Sequence, residues 1–219
     1  CGPDHIRHRE PIPGTDLEYP LHGSFSANPA HSLEVTAEGE DLVARGTVDV
    51  TLAAGGHARL QRQWRLKGES GEVQLADTVV NVGDTAFPAF LMYHMNLGAK
   101  HFDGATRLEG AMLEGGGFPW SFGEGDGGIF CVPAGHGGWA ELRLGPIATI
   151  GNKRLKVRFR TDTLPHLQIW RNQKAPAHVL GIEPVSHRWV GRAELEAAGE
   201  FNILQPGESR DYGLAFSFV

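Results

Sequence analysis

From residue 32 to its end the chain reads as one short strand after another, with almost nothing of helical period between them. Residues 32–38, 42–52, 58–66 and 72–82 alternate or are rich in β-branched side chains, and Gly-Glu-Asp, Ala-Gly-Gly and Gly-Glu-Ser-Gly turn signals separate them. In 59–66 polar residues dominate one face and apolar ones much of the other, as expected of a strand with one face toward water. Strand-like sequence resumes at 138–144, 156–161, 167–171, 179–182, 201–204 and 212–219. Only 191–198 has helix-forming composition, and an isolated helix of that length is marginal. So many strands without a βαβ rhythm predict an all-β fold, a large antiparallel two-sheet β-sandwich in preference to a large barrel. With 219 residues, one domain is the default. Two stretches stand apart. Residues 1–31 contain five prolines and read as irregular, and the eleven glycines strictly between Gly98 and Gly138 predict long loops there.

Composition excludes several classes. A net charge of -6 with scattered Lys and Arg offers no basic stripe for a phosphate backbone, so no nucleic-acid partner is expected. No apolar run approaches the roughly 18–20 residues that span a bilayer, and no signal-peptide pattern opens the chain, so no membrane partner is expected either. Two cysteines, Cys1 and Cys131, are too few for a disulfide framework or a zinc site and fit a reduced, cytoplasmic setting. The Cys-Gly-Pro start without a methionine leads us to expect a preceding N-terminal part in the natural protein. His-Glu-x-x-His, Cys/His metal spacings, Gly-x-Ser-x-Gly, phosphate loops and dinucleotide fingerprints are missing, so neither a metal nor a cofactor is expected.

Two distant segments carry proton chemistry. Tyr93-His94-Met95-Asn96-Leu97-Gly98 places a histidine after an apolar stretch, 87–93, that reads as a strand, and Asn96 falls on the same face if the strand continues. Glu183, in Gly181-Ile182-Glu183-Pro184, closes an apolar run, where an acid sits either at the rim or desolvated. Desolvation raises a carboxyl pKa and suits it to general-base work near neutrality. In 167–172 Gln168, Trp170 and Asn172 share one face, and an indole between two amides is a way to read a sugar, the ring on C–H bonds and the amides on hydroxyls. In a sandwich, distant strands can bring these groups to one groove.

The order of these pieces resembles the aldose 1-epimerase (galactose mutarotase) superfamily, in a bacterial branch with a Tyr-His-x-Asn-x-Gly signature. Leu21-His22-Gly23 resembles the family's sugar-contacting Leu-His-Gly loop. Asn81-Val82-Gly83 with Tyr93-His94-Met95-Asn96 resembles the general-acid segment. Gln168-Ile169-Trp170-Arg171-Asn172 resembles its Gln-x-Tyr-x-x-Asn strand, with tryptophan for tyrosine and one residue fewer. Gly181-Ile182-Glu183-Pro184 resembles the segment of the catalytic base, and Leu204-Gln205-Pro206-Gly207-Glu208 the closing turn. The likeness spans roughly residues 20–219. No single motif is specific, whereas five in order are.

The resemblance implies a galactose mutarotase-like supersandwich and a small-molecule sugar partner. It also implies an isomerase in which Glu183 takes the proton of the anomeric hydroxyl and His94 protonates the ring oxygen, assisted by His22, while Asn96, Gln168, Trp170 and Asn172 orient hydroxyls. The family's sugar-binding arginine has no secure match, and Arg7 is the candidate. The shortened histidine segment and Val185, where glutamine is usual, separate this chain from known sugar specificities. A non-catalytic carbohydrate-binding or sensing protein on the same fold, and a structural sandwich domain of a larger polysaccharide-processing enzyme, are the alternatives.

Overall fold

The computed structural model describes residues 1–219 and shows an all-β, antiparallel chain. In chain order the strands are β1 (Ser32–Glu38), β2 (Asp41–Thr51), β3 (His57–Leu66), β4 (Val73–Asn81), β5 (Phe87–Pro88), β6 (Met95–Gly98), β7 (Arg107–Gly110), β8 (Gly117–Pro119), β9 (Gly127–Pro133), β10 (Trp139–Ile147), β11 (Lys153–Arg160), β12 (His166–Asn172), β13 (Val179–Val185), β14 (Ile203–Leu204) and β15 (Ser209–Phe218). The one α-helix, α1 (Arg192–Ala197), falls where helix-forming composition appears and buries only Leu195. No helix is long and apolar enough to cross a membrane.

The chain divides into two compact units. Unit 1 comprises Cys1–Ser70, Gln74–Met92 and Trp189–Gly213. Its strands run β1-β2-β3-β4, with the first half of β15 beyond β4, and Val43, Val50, Ala58, Leu60, Leu75 and Val79 supply buried apolar surface. The proline-rich start is irregular, as expected, but it is held firmly. Asp4, buried, accepts from Ser24 N at 2.9 Å, Ser24 Oγ at 2.7 Å and Ala53 N at 3.0 Å. Residues 87–93 depart from expectation. Only Phe87–Pro88 form a strand, against β14, and the rest is a buried connection whose N–H groups find scattered partners, such as Ala89 to Asn202 O and Phe90 to Pro3 O. The apolarity of this stretch reflects burial on all sides rather than the pleat of a strand.

Unit 2 comprises Gly71–Val73, Tyr93–Arg188 and Leu214–Val219. One sheet runs from the second half of β15 through β11, β10 and β7 to β8, and a second has the order β6-β13-β12-β9. Leu142, Leu144, Val157 and Phe159 of the first, with Leu167, Ile169, Leu180 and Ile182 of the second, are fully buried. The glycine-rich stretch holds three short strands, β7, β8 and β9, where long loops were expected.

A buried arginine holds the segment 121–127 that leads into β9. Arg171, 2% exposed, donates from Nη1 to Ser121 O at 3.3 Å and to Gln173 Oε1, and from Nη2 to Glu124 O at 3.1 Å and Gly127 O at 2.8 Å. Its guanidinium lies 5.2 Å from the Phe122 ring, itself edge-on to Phe118 and Phe130. Backbone carbonyls thus satisfy a buried charge, and the charge fixes a segment with no hydrophobic period. Arg171→Met, which keeps bulk and removes the donors, is expected to lower stability by about 2–4 kcal/mol and to speed amide exchange across 121–127. Unchanged exchange there would show that the segment is ordered by other means.

Candidate active site

The four-stranded sheet of unit 2 carries the site. Its pairing sets Gln168 opposite Glu183 and Cys131, and sets Trp170 opposite Gly181 and Ile129, with Asn96 opposite Gly181 on the next strand. Because side chains alternate along a strand and directly paired residues share a face, all of these point to one side. Gln168, Trp170 and Asn172 share that face, as their spacing predicts. The other side carries Leu167, Ile169, Leu180 and Ile182, whose burial pins the register, since a slip of one residue would turn Glu183 toward the core.

Glu183 lies inside β13 rather than at its end and is fully buried. Gln168 Nε2 donates to its Oε2, and His94 Nε2 stands 3.1 Å from its Oε1. Loss of solvent is the dominant influence and pushes the carboxyl up to about 7, against the opposing pull of the Gln168 hydrogen bond. Room for this carboxylate comes from a missing side chain. A Cβ on Gly181 would collide with Glu183 Oε1 and sit 3.3 Å from Trp170 Cε3. Gly181 thus lets the glutamate lie back along its own strand, a role with no signature in sequence.

His94 is placed by bonds on both sides of it. Tyr93 N donates to Pro184 O at 3.0 Å, and Met95 N donates back to Tyr93 O at 3.2 Å, a three-residue γ-turn with His94 at its centre. From Met95 onward β6 pairs with β13. Pro184 fits inside a strand because its nitrogen and its carbonyl face the same side, and on that side β6 has already ended, so no ladder bond is lost. The His94 ring meets Trp170 edge-on, with centroids 5.7 Å apart.

The remaining candidates lie around or apart from this centre. Asn96 is exposed on β6, and Asn172, at the end of β12, accepts from Lys174 N at 3.0 Å. His22 and Arg7 belong to unit 1. His22 takes the left-handed conformation, φ 62°, with Nδ1 2.8 Å from Ile6 O, and the Arg7 guanidinium lies 4.4 Å from the Trp189 ring. Cys131 and Ile129, on β9, join the face of the site, in a segment whose glycines predict a loop. No group of three or more His, Cys, Asp or Glu side chains is arranged to hold a metal ion. A carboxyl poised near neutrality in contact with an imidazole, beside an indole and an amide, can take up and release protons on a polar ligand.

Comparison with known proteins fits this architecture. A candidate aldose 1-epimerase from Klebsiella pneumoniae superposes with a TM-score of 0.77 at 20% identity, over 96% of this chain and 59% of that one. The chain therefore spans less than two thirds of the Klebsiella protein's length. A galactose mutarotase-like protein from Lactobacillus casei gives 0.67 at 13% identity over 100% of this chain and 82% of its own, and one from Clostridium acetobutylicum gives 0.65 at 15% over 99% and 77%. At such identities the likeness is one of fold, the galactose mutarotase-like β-sandwich. No curated protein matches the sequence. A family model described as a domain of unknown function (DUF4432) matches residues 1–111 and 137–218. With all but residues 112–136 and the last residue inside that match, the chain belongs to the DUF4432 family.

Proposed function

We propose that the chain is an aldose 1-epimerase-type isomerase that interconverts the α and β anomers of a sugar by acid–base ring opening. The observation that carries this reading is the fully buried Glu183, raised to about 7, with its Oε1 3.1 Å from His94 Nε2. The two oxygens at an anomeric centre are bonded to one carbon and lie slightly closer together than that. A side-on approach lets one oxygen meet the carboxylate while the other meets the imidazole.

In the forward direction Glu183 removes the proton from O1, the O1 electron pair forms the aldehyde, the C1–O5 bond breaks, and O5 takes a proton from His94. Rotation about the C1–C2 bond and reclosure on the other face, with both protons returned, give the other anomer. Each proton-transfer group contributes typically about 10²- to 10⁴-fold, and none of these steps needs a cofactor. Gln168 keeps the carboxylate in place, and Trp170 and Asn96 flank the position of the sugar. His22 and Arg7 take no step in this scheme.

Polarimetry on freshly dissolved aldoses tests the reading. Only ionised Glu183 can accept the O1 proton, so kcat/KM should fall by about tenfold per unit well below about 7, and it should decline again at high pH, where His94 no longer carries the proton it gives to O5. Sugar binding without acceleration over the buffer blank would mark a binding protein instead, and a pH-independent rate would remove Glu183 from the chemistry.

A further inference from the structure

Beside Trp170, on the face that carries Glu183, lies a shallow, open cavity of about 360 Å³, lined by Asp126, Gly127, Gly128, Ile129, Trp170, Arg171, Asn172 and Lys174. Trp170 is thus common to the cavity and to the acid–base pair, whereas Glu183, His94 and Gln168 do not line it. The row containing Gln168 and Glu183 and the row containing Asn172 and Gly127 are four residues apart along β12, about 13 Å at the usual rise of a strand. A single pyranose ring covers roughly one two-residue step, so a monosaccharide with its anomeric carbon at Glu183 reaches Trp170 and stops there.

We propose that this cavity is a second subsite, holding a non-reacting sugar residue on the far side of Trp170, and that the preferred substrate is a reducing disaccharide or longer. Its size suits one small polar ring, its lining combines apolar surface from Trp170 and Ile129 with polar groups from Asp126, Asn172 and Lys174, and that mixture is what a sugar ring requires. Between the two positions β13 places Gly181 opposite Trp170, so the Glu183 carboxylate is the β13 side chain that lies over that step. One wall, 126–129, falls inside the segment 112–136 that the family model leaves unmatched. Segments that join a framework are where specificity is commonly set.

The subsite presupposes the acid–base role of Glu183 and His94 for turnover, but its occupancy can be measured separately. Gly127 provides the means. It has no left-handed φ, and a Cβ there meets nothing closer than Arg171 O at 3.8 Å, so Gly127→Phe can fill the cavity without backbone strain. Initial rates by polarimetry should show a KM for lactose or maltose about tenfold below that for galactose or glucose. Gly127→Phe and Lys174→Ala should raise the disaccharide KM about tenfold and leave the monosaccharide values alone. Equal handling of mono- and disaccharides by the wild type and by Gly127→Phe would overturn the subsite while leaving the isomerase reading intact. If no sugar turns over, calorimetry decides: disaccharide binding abolished by Gly127→Phe supports the subsite even as the isomerase reading fails, and absence of disaccharide binding overturns it. Preferential use of a hexose 6-phosphate, lost in Lys174→Ala, would also overturn it in favour of a single ring with a charged substituent.

Discussion

Replacing Glu183 by glutamine should make the protein at least about 10²- to 10⁴-fold slower in anomer interconversion and, at pH 8, more stable. The two effects share one cause. A carboxyl whose folded pKa is about 7 and whose ordinary value is 4.5 binds more protons folded than unfolded between those limits. Its contribution to stability is therefore fully present below the ordinary value and is lost as pH rises through 7, which amounts to about 3 kcal/mol at pH 8. Glutamine never ionises and keeps an oxygen to accept the Gln168 hydrogen bond. Thermal melts should show Glu183→Gln gaining roughly 5–10 °C at pH 8 and little at pH 5. A variant that is both slow and less stable at every pH would identify the carboxyl as a structural group, and one with full turnover would end its assignment as base.

Gly181→Ala is expected to cost nearly as much activity through a single methyl group. Gly181 does not require a left-handed backbone, so alanine is conformationally acceptable, and the conflict is one of space with Glu183 Oε1 and Trp170 Cε3. In a closely fitted interior such an intrusion shifts side chains and costs typically about 1–3 kcal/mol. Here the side chain that must move is the carboxylate proposed as base, away from His94. Turnover should fall by about 10²-fold or more while the protein still melts cooperatively, and the low-pH limb of the rate profile should move below 7 as the carboxyl regains water. Wild-type turnover in Gly181→Ala would mean that the close Glu183–His94 approach is dispensable.

These two residues mark what could and could not be read beforehand. Trp170 and its flanking amides were legible because alternation along a strand is carried by the side chains themselves. Glu183 was legible as a suspect, but apolar neighbours along a strand do not say whether the acid stands at the rim or deep within, and pairing with β12 decides that. Gly181 was invisible because its contribution is the absence of a side chain, and glycine has many other uses. Residues 121–133 were not legible for a related reason: 121–127 are ordered by backbone carbonyls meeting Arg171 and 127–133 by pairing with β12, and main-chain groups leave no pattern in composition. The stretch 87–93 failed the opposite way, since an apolar run reports burial whether or not a ladder forms.

The fastening of that segment has a consequence for biosynthesis. The carbonyls of Ser121, Glu124 and Gly127 are satisfied by a residue 44 to 50 positions downstream. On the ribosome these residues emerge well before their guanidinium anchor, so the edge strand of the site sheet has no fixed neighbour until β12 has been made. Nascent chains arrested before residue 171 should leave 121–127 open to protease, and those extended past β13 should protect it.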